Sequence, residues 1–190
     1  MELLKLEKMH EGRFLTYYLA SYRNRDNAIK KYEFISRNHD LTAESFGLHA
    51  PEGVEIIVTT PDDSHILLNR EFRLSANGWI YNFPAGLIDP GENGPVAAER
   101  ELREETGVKL LAIRDIIENN YSAHGICDEV MSIVIGTGEG EIHNSEFANE
   151  EIEAGWFSRA EVKAMLKRGE AFSTRAAMYL YLWADEKVSD

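Results

Sequence analysis

Cysteine is almost missing from this chain: Cys127 is the only one in 190 residues. An internal disulfide is excluded, and so is a cysteine-rich zinc site. The usage fits a reducing compartment. Long apolar runs are missing as well. No stretch approaches the roughly 18–20 residues a membrane-spanning helix requires, and Met1 to His10 lacks the apolar core of a secretory signal. Positive charge is scarce: Lys and Arg number 20 against 33 Asp and Glu, a formal charge of −13. So acidic a surface argues against general nucleic-acid binding, because phosphate backbones demand basic patches. It leaves room for a small phosphorylated ligand, since bound cations change the local field. Internal repeats and low-complexity tracts are also absent. These absences predict a soluble, cytoplasmic protein with neither nucleic-acid nor membrane partners.

What is present supports a real core: 44% of the residues are hydrophobic. The length suits one domain with a small appendage. Arg13 to Tyr22 is rich in aromatic and β-branched residues and reads as a strand, Asn24 to Asn27 as a turn, and Lys31 to Arg37 as a returning strand. Two strands are barely stable alone, so this arm must pack on its own domain or on a second copy. Val54 to Thr60 and His65 to Phe72 form a hairpin about Pro61-Asp62-Asp63-Ser64. Trp79 to Phe83, Lys109 to Glu118, Glu129 to Gly136 and Ile152 to Phe157 read as further strands. Ser158 to Glu161 is a capping box opening a helix that Gly169 stops. A last helix runs from Ser173 to about Asp185, with Ala177, Leu180 and Leu182 on its apolar face. Strands interrupted by a few helices suggest an α/β/α sandwich around a mixed sheet, an α+β fold.

One stretch carries chemistry: Gly86 to Val108, GLIDPGENGPVAAERELREETGV. Asp89-Pro90-Gly91 is turn chemistry. Asn93 or Gly94 can cap a helix, Pro95 suits its first turn, and Gly107 is a natural stop. Within it Glu101, Glu104 and Glu105 fall at i, i+3 and i+4 and share one face, while Ala98 and Leu102 lie on a stripe suited to the core. Like charges at that spacing repel. A divalent cation resolves the conflict, and hard carboxylate oxygens suit Mg²⁺ or Mn²⁺. A solvated acidic helix is the alternative reading.

The stretch resembles the Nudix box, G-x5-E-x7-R-E-U-x-E-E-x-G-U, at every specified position. The resemblance implies a Nudix-type sandwich and a metal-dependent hydrolase that cleaves a diphosphate bond. It implies Glu101 and Glu105 as principal metal ligands, with Glu104 and the Ala85 carbonyl as further ones. Arg100 orients a box glutamate, or pairs with Glu104 one turn on. Glu92 reads as a structural acid. The catalytic base is expected outside the box, among Glu146, Glu150, Glu151 and Glu153, with Glu150 preferred.

More widely, the chain resembles the ADP-ribose pyrophosphatase branch of these enzymes, through Tyr32-Glu33 in the arm, Arg70-Glu71-Phe72-Arg73, and Tyr81-Asn82-Phe83-Pro84-Ala85-Gly86. This implies an arm of residues 1–46 that pairs two subunits, with Phe14, Tyr17, Tyr18 and Tyr22 suited to the interface, before a catalytic domain of residues 47–190. Arg73 and then Arg37 are candidates for the diphosphate, Tyr32 for stacking on a base, and His124 for a phosphate contact. Trp79, Trp156, Phe157 and Trp183 read as core, and Cys127 carries no chemistry. Two positions depart from the branch: Asn82 replaces a glutamate and His124 a marker proline. The expected substrate is ADP-ribose or a related nucleoside diphosphate sugar. A different sugar nucleotide such as GDP-mannose, and a non-catalytic nucleotide sensor, are the competing readings.

Overall fold

The computed structural model describes residues 1–143 and 151–185. The chain divides into two compact units, one of Met1–Glu52 with Glu118–Met131, the other of Gly53–Ile117 with the residues from Ser132 onward.

In the first unit, β1 (Glu2–Glu11), β2 (Thr16–Arg23) and β3 (Ile29–Ser36) form an antiparallel sheet in that order. The arm therefore has three strands rather than the expected two. β1 escapes a sequence reading because two register shifts, between Leu3 and Lys5 and between Lys8 and His10, break its period of two. β2 alternates from Thr16 to Ala20, burying Thr16, Tyr18 and Ala20. Tyr18 stacks on Phe34 at 5.6 Å, and Phe34 on Phe46 at 4.8 Å. Its hydroxyl donates to the Asn38 carbonyl at 2.8 Å and accepts from the Leu41 amide at 3.1 Å. Tyr18 is thus fully buried in the arm's own core and unavailable to a partner surface, whereas Phe14 is exposed.

The second unit carries most of the larger sheet, whose strands are β4 (Gly53–Thr59), β5 (His65–Arg73), β6 (Gly78–Asn82), β7 (Ala85–Leu87), β8 (Lys109–Tyr121), β9 (Val130–Glu139) and β10 (Ile152–Ser158). Their order is β10-β5-β4-β9-β8, with β6 paired to β5 and β7 to β4. Alternation along the strands loads both faces. Val54, Ile56, Val58, Leu67 and Val134 join one cluster, with Ala97, Ala98 and Leu102 of the helix α1 (Gly94–Thr106). Ile57, Ile66 and Leu68 join the other, with α2 (Arg159–Arg168) and α3 (Thr174–Asp185). Helices on both sides of a mixed sheet are the α+β sandwich that the pattern predicts. Each large aliphatic side chain so buried contributes roughly 1.5–3 kcal/mol.

The helix ends follow local rules. Asn93 accepts from the Val96 amide, Pro95 lies in the first turn, and Gly107 closes α1 at φ 76°. Ser158 and Glu161 make the full capping box of α2, closed by Gly169. α3 differs in its face. Ala176, Leu180, Trp183 and Ala184 are buried, at i, i+4, i+7 and i+8, while Leu182 is exposed. No described helix is long and apolar enough to cross a membrane.

Candidate active site

The site is built where β7 meets α1. A Cβ on Gly86 would lie 2.0 Å from the carboxyl carbon of Glu101, so only glycine lets that carboxylate rest on the β7 backbone beside Ala85. Arg100 holds it there from the other side. Its Nη1 donates to Glu101 Oε1 at 2.7 Å. Its Nε and Nη2 grip both oxygens of Glu92, at 3.0 and 2.8 Å, and Nη2 also reaches the Leu87 carbonyl at 2.9 Å. The contact to Glu104 is longer, 3.5 Å. Arg100 thus ties the loop acid Glu92, the β7 backbone and Glu101 together. Its hydrogen bonds to Glu92 raise the arginine's pKa and hold the Glu92 carboxyl below its usual range.

One turn along, Glu105 is buried, and its Oε2 accepts from Asn69 Nδ2 of β5 at 2.7 Å. Asn69 is a site residue the sequence reading missed. β5 places it opposite Asn82 in the β5–β6 register. A polar side chain directly after the apolar run Ile66 to Leu68, and before the strand ends, was the signal for it. Glu55 was missed likewise. It is 1% exposed on β4, opposite Ala85, and its Oε2 accepts from Arg175 Nε of α3 at 2.5 Å. Burial raises its pKa, and Arg175 offsets part of that rise.

Among the described residues no three acid, histidine or cysteine side chains already stand as a chelating group. The reason is visible: Glu101 faces Arg100, and Glu105 faces Asn69. The donor chemistry suits a hard divalent cation all the same: the half-buried Glu101 and the buried Glu105 lie one turn apart on α1, and the Glu101 carboxylate rests against Gly86.

Arg73 lies at the end of β5, paired with Glu71 at 2.6 Å. With Asn82, Ser173 and Arg175 it lines a hollow of ≈ 200 Å³. Ser173 donates to Asn82 Oδ1 at 2.7 Å, so the residue standing where the branch carries glutamate is tied to the start of α3. Glu150 and Glu146 lie outside the described residues. Glu153 pairs with Arg70 at 2.8 Å, and the Glu151 carbonyl accepts from the Phe72 amide at 3.0 Å. Of the aromatic residues assigned to the core, Trp183 is buried, Phe157 and Trp156 are partly buried against the two clusters, and Trp79 carries the Arg70 guanidinium at 4.6 Å.

The other candidates belong to the first unit. Tyr32 donates its hydroxyl to the Gly125 carbonyl at 2.8 Å, and with His124 it lines a hollow of ≈ 420 Å³. Arg37 donates to Glu129 at 3.0 Å. Cys127 is partly buried, 3.6 Å from the Ser122 hydroxyl.

Comparisons with known proteins point to one family and fold. Residues 50–179 match the NUDIX domain. A CMP-5'-(N-acetyl-N-hydroxy-3-aminopropyl)phosphonate hydrolase of Streptomyces rubellomurinus is 26% identical over 90% of this chain and 76% of its own. ADP compounds hydrolase NudE of Escherichia coli is 35% identical over 42% of this chain and 50% of its own, so the alignment spans only half of that relative. Among solved structures, an ADP compounds hydrolase superposes with a TM-score of 0.66 at 22% identity, over 95% of this chain and 92% of its own.

Proposed function

The chain belongs to the Nudix family of hydrolases, and on that premise we propose that it cleaves the diphosphate bond of ADP-ribose or a related nucleoside diphosphate sugar. Water adds across the phosphoanhydride: its hydroxyl goes to one phosphorus and its proton to the leaving phosphate. The products are a nucleoside monophosphate and a sugar phosphate. The observation that carries this reading is the Glu101 carboxylate seated on Gly86 and held by Arg100.

Family members generally work with a divalent metal; Mg²⁺ is our choice here, with Mn²⁺ as a substitute. Glu101, Glu105, Glu104 and the Ala85 carbonyl would hold it. When bound, such an ion neutralises charge on the diphosphate oxygens and makes water more acidic. The chain supplies the rest. Arg100 fixes the rotamer of Glu101, and Asn69 does the same for Glu105. Arg73 matches phosphate oxygens bidentately once it leaves Glu71. Glu150 takes the proton of the attacking water. Arg37, Tyr32 and His124 contact the nucleotide. The arm pairs two copies of the chain, and the enzyme works in the cytoplasm.

A second reading keeps the chemistry and changes the substrate. The relative covering 90% of this chain is named for a CMP-linked phosphonate, and Asn82 and His124 depart from the ADP-ribose branch. The test is a panel of nucleoside diphosphate sugars, dinucleotides, nucleoside triphosphates and a CMP-phosphonate, followed by monophosphate release with Mg²⁺ and with a chelator. Metal-dependent turnover of ADP-ribose or another sugar nucleotide is expected. Binding without turnover of any member would mean a nucleotide sensor instead.

A further inference from the structure

The ≈ 420 Å³ hollow of the first unit has the size of a small-molecule site. Rings dominate its wall: Tyr22, Tyr32, Phe34, Phe46 and Tyr121 all line it. Phe46 and His49 meet edge to face, as do His49 and Tyr121. Stacked and edge-on rings around an open space suit a flat heteroaromatic ligand, and every nucleobase has a face to stack. Stacking alone does not choose among bases. Choice requires a polar group at the base edge.

Asp128 is that group. It lines the same hollow, and its side chain is 6% exposed. Oδ2 accepts from the Ser36 hydroxyl at 2.9 Å and lies 3.9 Å from His49 Nδ1. Oδ1 is buried and, among the described residues, accepts no hydrogen bond. A buried carboxylate oxygen without a donor is costly, and a ligand bringing donors relieves that cost. The four bases differ in what they bring. Adenine and cytosine set one amino donor beside a ring nitrogen whose lone pair would face the carboxylate. Uracil flanks its one N–H with two carbonyls. Guanine alone presents two adjacent donors, N1–H and the 2-amino group, matching the two oxygens of a carboxylate.

We propose that this hollow binds a guanine nucleotide, with the Asp128 carboxylate receiving N1–H and the 2-amino group and the surrounding rings sandwiching the base. The inference rests on the reading of the chain as a hydrolase of nucleoside diphosphate sugars and, within that class, favours a guanine-linked member over ADP-ribose. Asp128 is the residue that sets that preference.

Calorimetric titration of the full chain without metal tests it, using GMP, IMP and AMP. IMP keeps N1–H and lacks the 2-amino group, so the comparison needs no altered protein. GMP is expected to bind at least about tenfold more tightly than AMP, with IMP between them, as a paired set of base contacts provides. Asp128→Asn should bring GMP down to the affinity of AMP. Tyr32→Ala, at a residue 40% exposed, should weaken all three alike and keep their order. Affinities of GMP and AMP within twofold of each other, or no saturable binding of GMP, would overturn the assignment. An unchanged preference in Asp128→Asn would do so as well. The two readings fail separately. GMP selectivity without cleavage of any sugar nucleotide would sink the hydrolase and leave this site standing. Cleavage without GMP selectivity would do the reverse.

Discussion

Replacing Gly86 by alanine tests the catalytic arrangement with one carbon atom. The backbone there does not occupy the left-handed region, so alanine brings no conformational strain. The new Cβ would sit 2.0 Å from the Glu101 carboxyl carbon, 2.1 Å from Oε1 and 2.4 Å from Oε2. Ordinary carbon contacts lie near 3.5 Å, so the carboxylate must retreat by about 1.5 Å. The displaced atoms end a flexible side chain and are not backbone. Stability should therefore change by less than about 1 kcal/mol, the loosened Arg100–Glu101 pair included. Catalysis is less forgiving, because a misplacement of about 1 Å can cost about 100-fold. Gly86→Ala should lower kcat/KM by about 100-fold while its urea midpoint stays close to that of the parent. Initial rates on the best substrate of the panel, with denaturation curves in parallel, give both numbers. A variant whose kcat/KM stays within about threefold of the parent would refute the idea that Glu101 must rest on β7.

Other outcomes follow from the same contacts. Glu105→Gln should nearly abolish turnover and keep the fold, since an amide still meets Asn69; substantial residual activity in metal-saturated assays would count against its assigned role. Arg175→Gln leaves the Glu55 carboxylate buried without its cation. Breaking a fully buried pair costs about 3–5 kcal/mol; Arg175 is a third exposed, so about 2 kcal/mol is expected after solvent screening. Glu55 already has a raised pKa, chiefly from burial, so the folded state holds that proton more tightly than the unfolded chain does. The penalty is fully present above the folded pKa and fades as pH falls through it towards the unfolded value of 4.5. Losing Arg175 raises the folded pKa further. The deficit of the variant should therefore shrink as pH is lowered from neutral towards the unfolded value in urea titrations, and a pH-independent deficit would contradict the account. Asn93→Ala removes the cap that accepts from the Val96 amide and should cost about 1 kcal/mol by chemical denaturation, with Asn93→Ser restoring most of it.

Much of the site was legible because its signals are local. The cap at Asn93, the stop at Gly107 and the carboxylates at i, i+3 and i+4 all lie within two dozen consecutive residues. The Ser158–Glu161 capping box is local in the same way. Other features left no such mark. β1 was lost to its register shifts. On α3 Leu180 turns inward as expected, but Leu182 is exposed in favour of Trp183, because both are apolar and only the packing partner decides which turns inward.

The sequence by itself determined the helix that carries the acids, the strand pattern and the family, since each rests on neighbours along the chain. The tertiary structure alone decided that Glu101 lies on Gly86, that Asn69 meets Glu105 across 36 residues and that Glu55 meets Arg175 across 120. It decided too that Asp128 joins Ser36 beside a hollow lined by rings from distant segments. Dihedral preferences and caps act over a few residues, whereas these pairs exist only after sheet pairing and burial bring remote strands within hydrogen-bond reach.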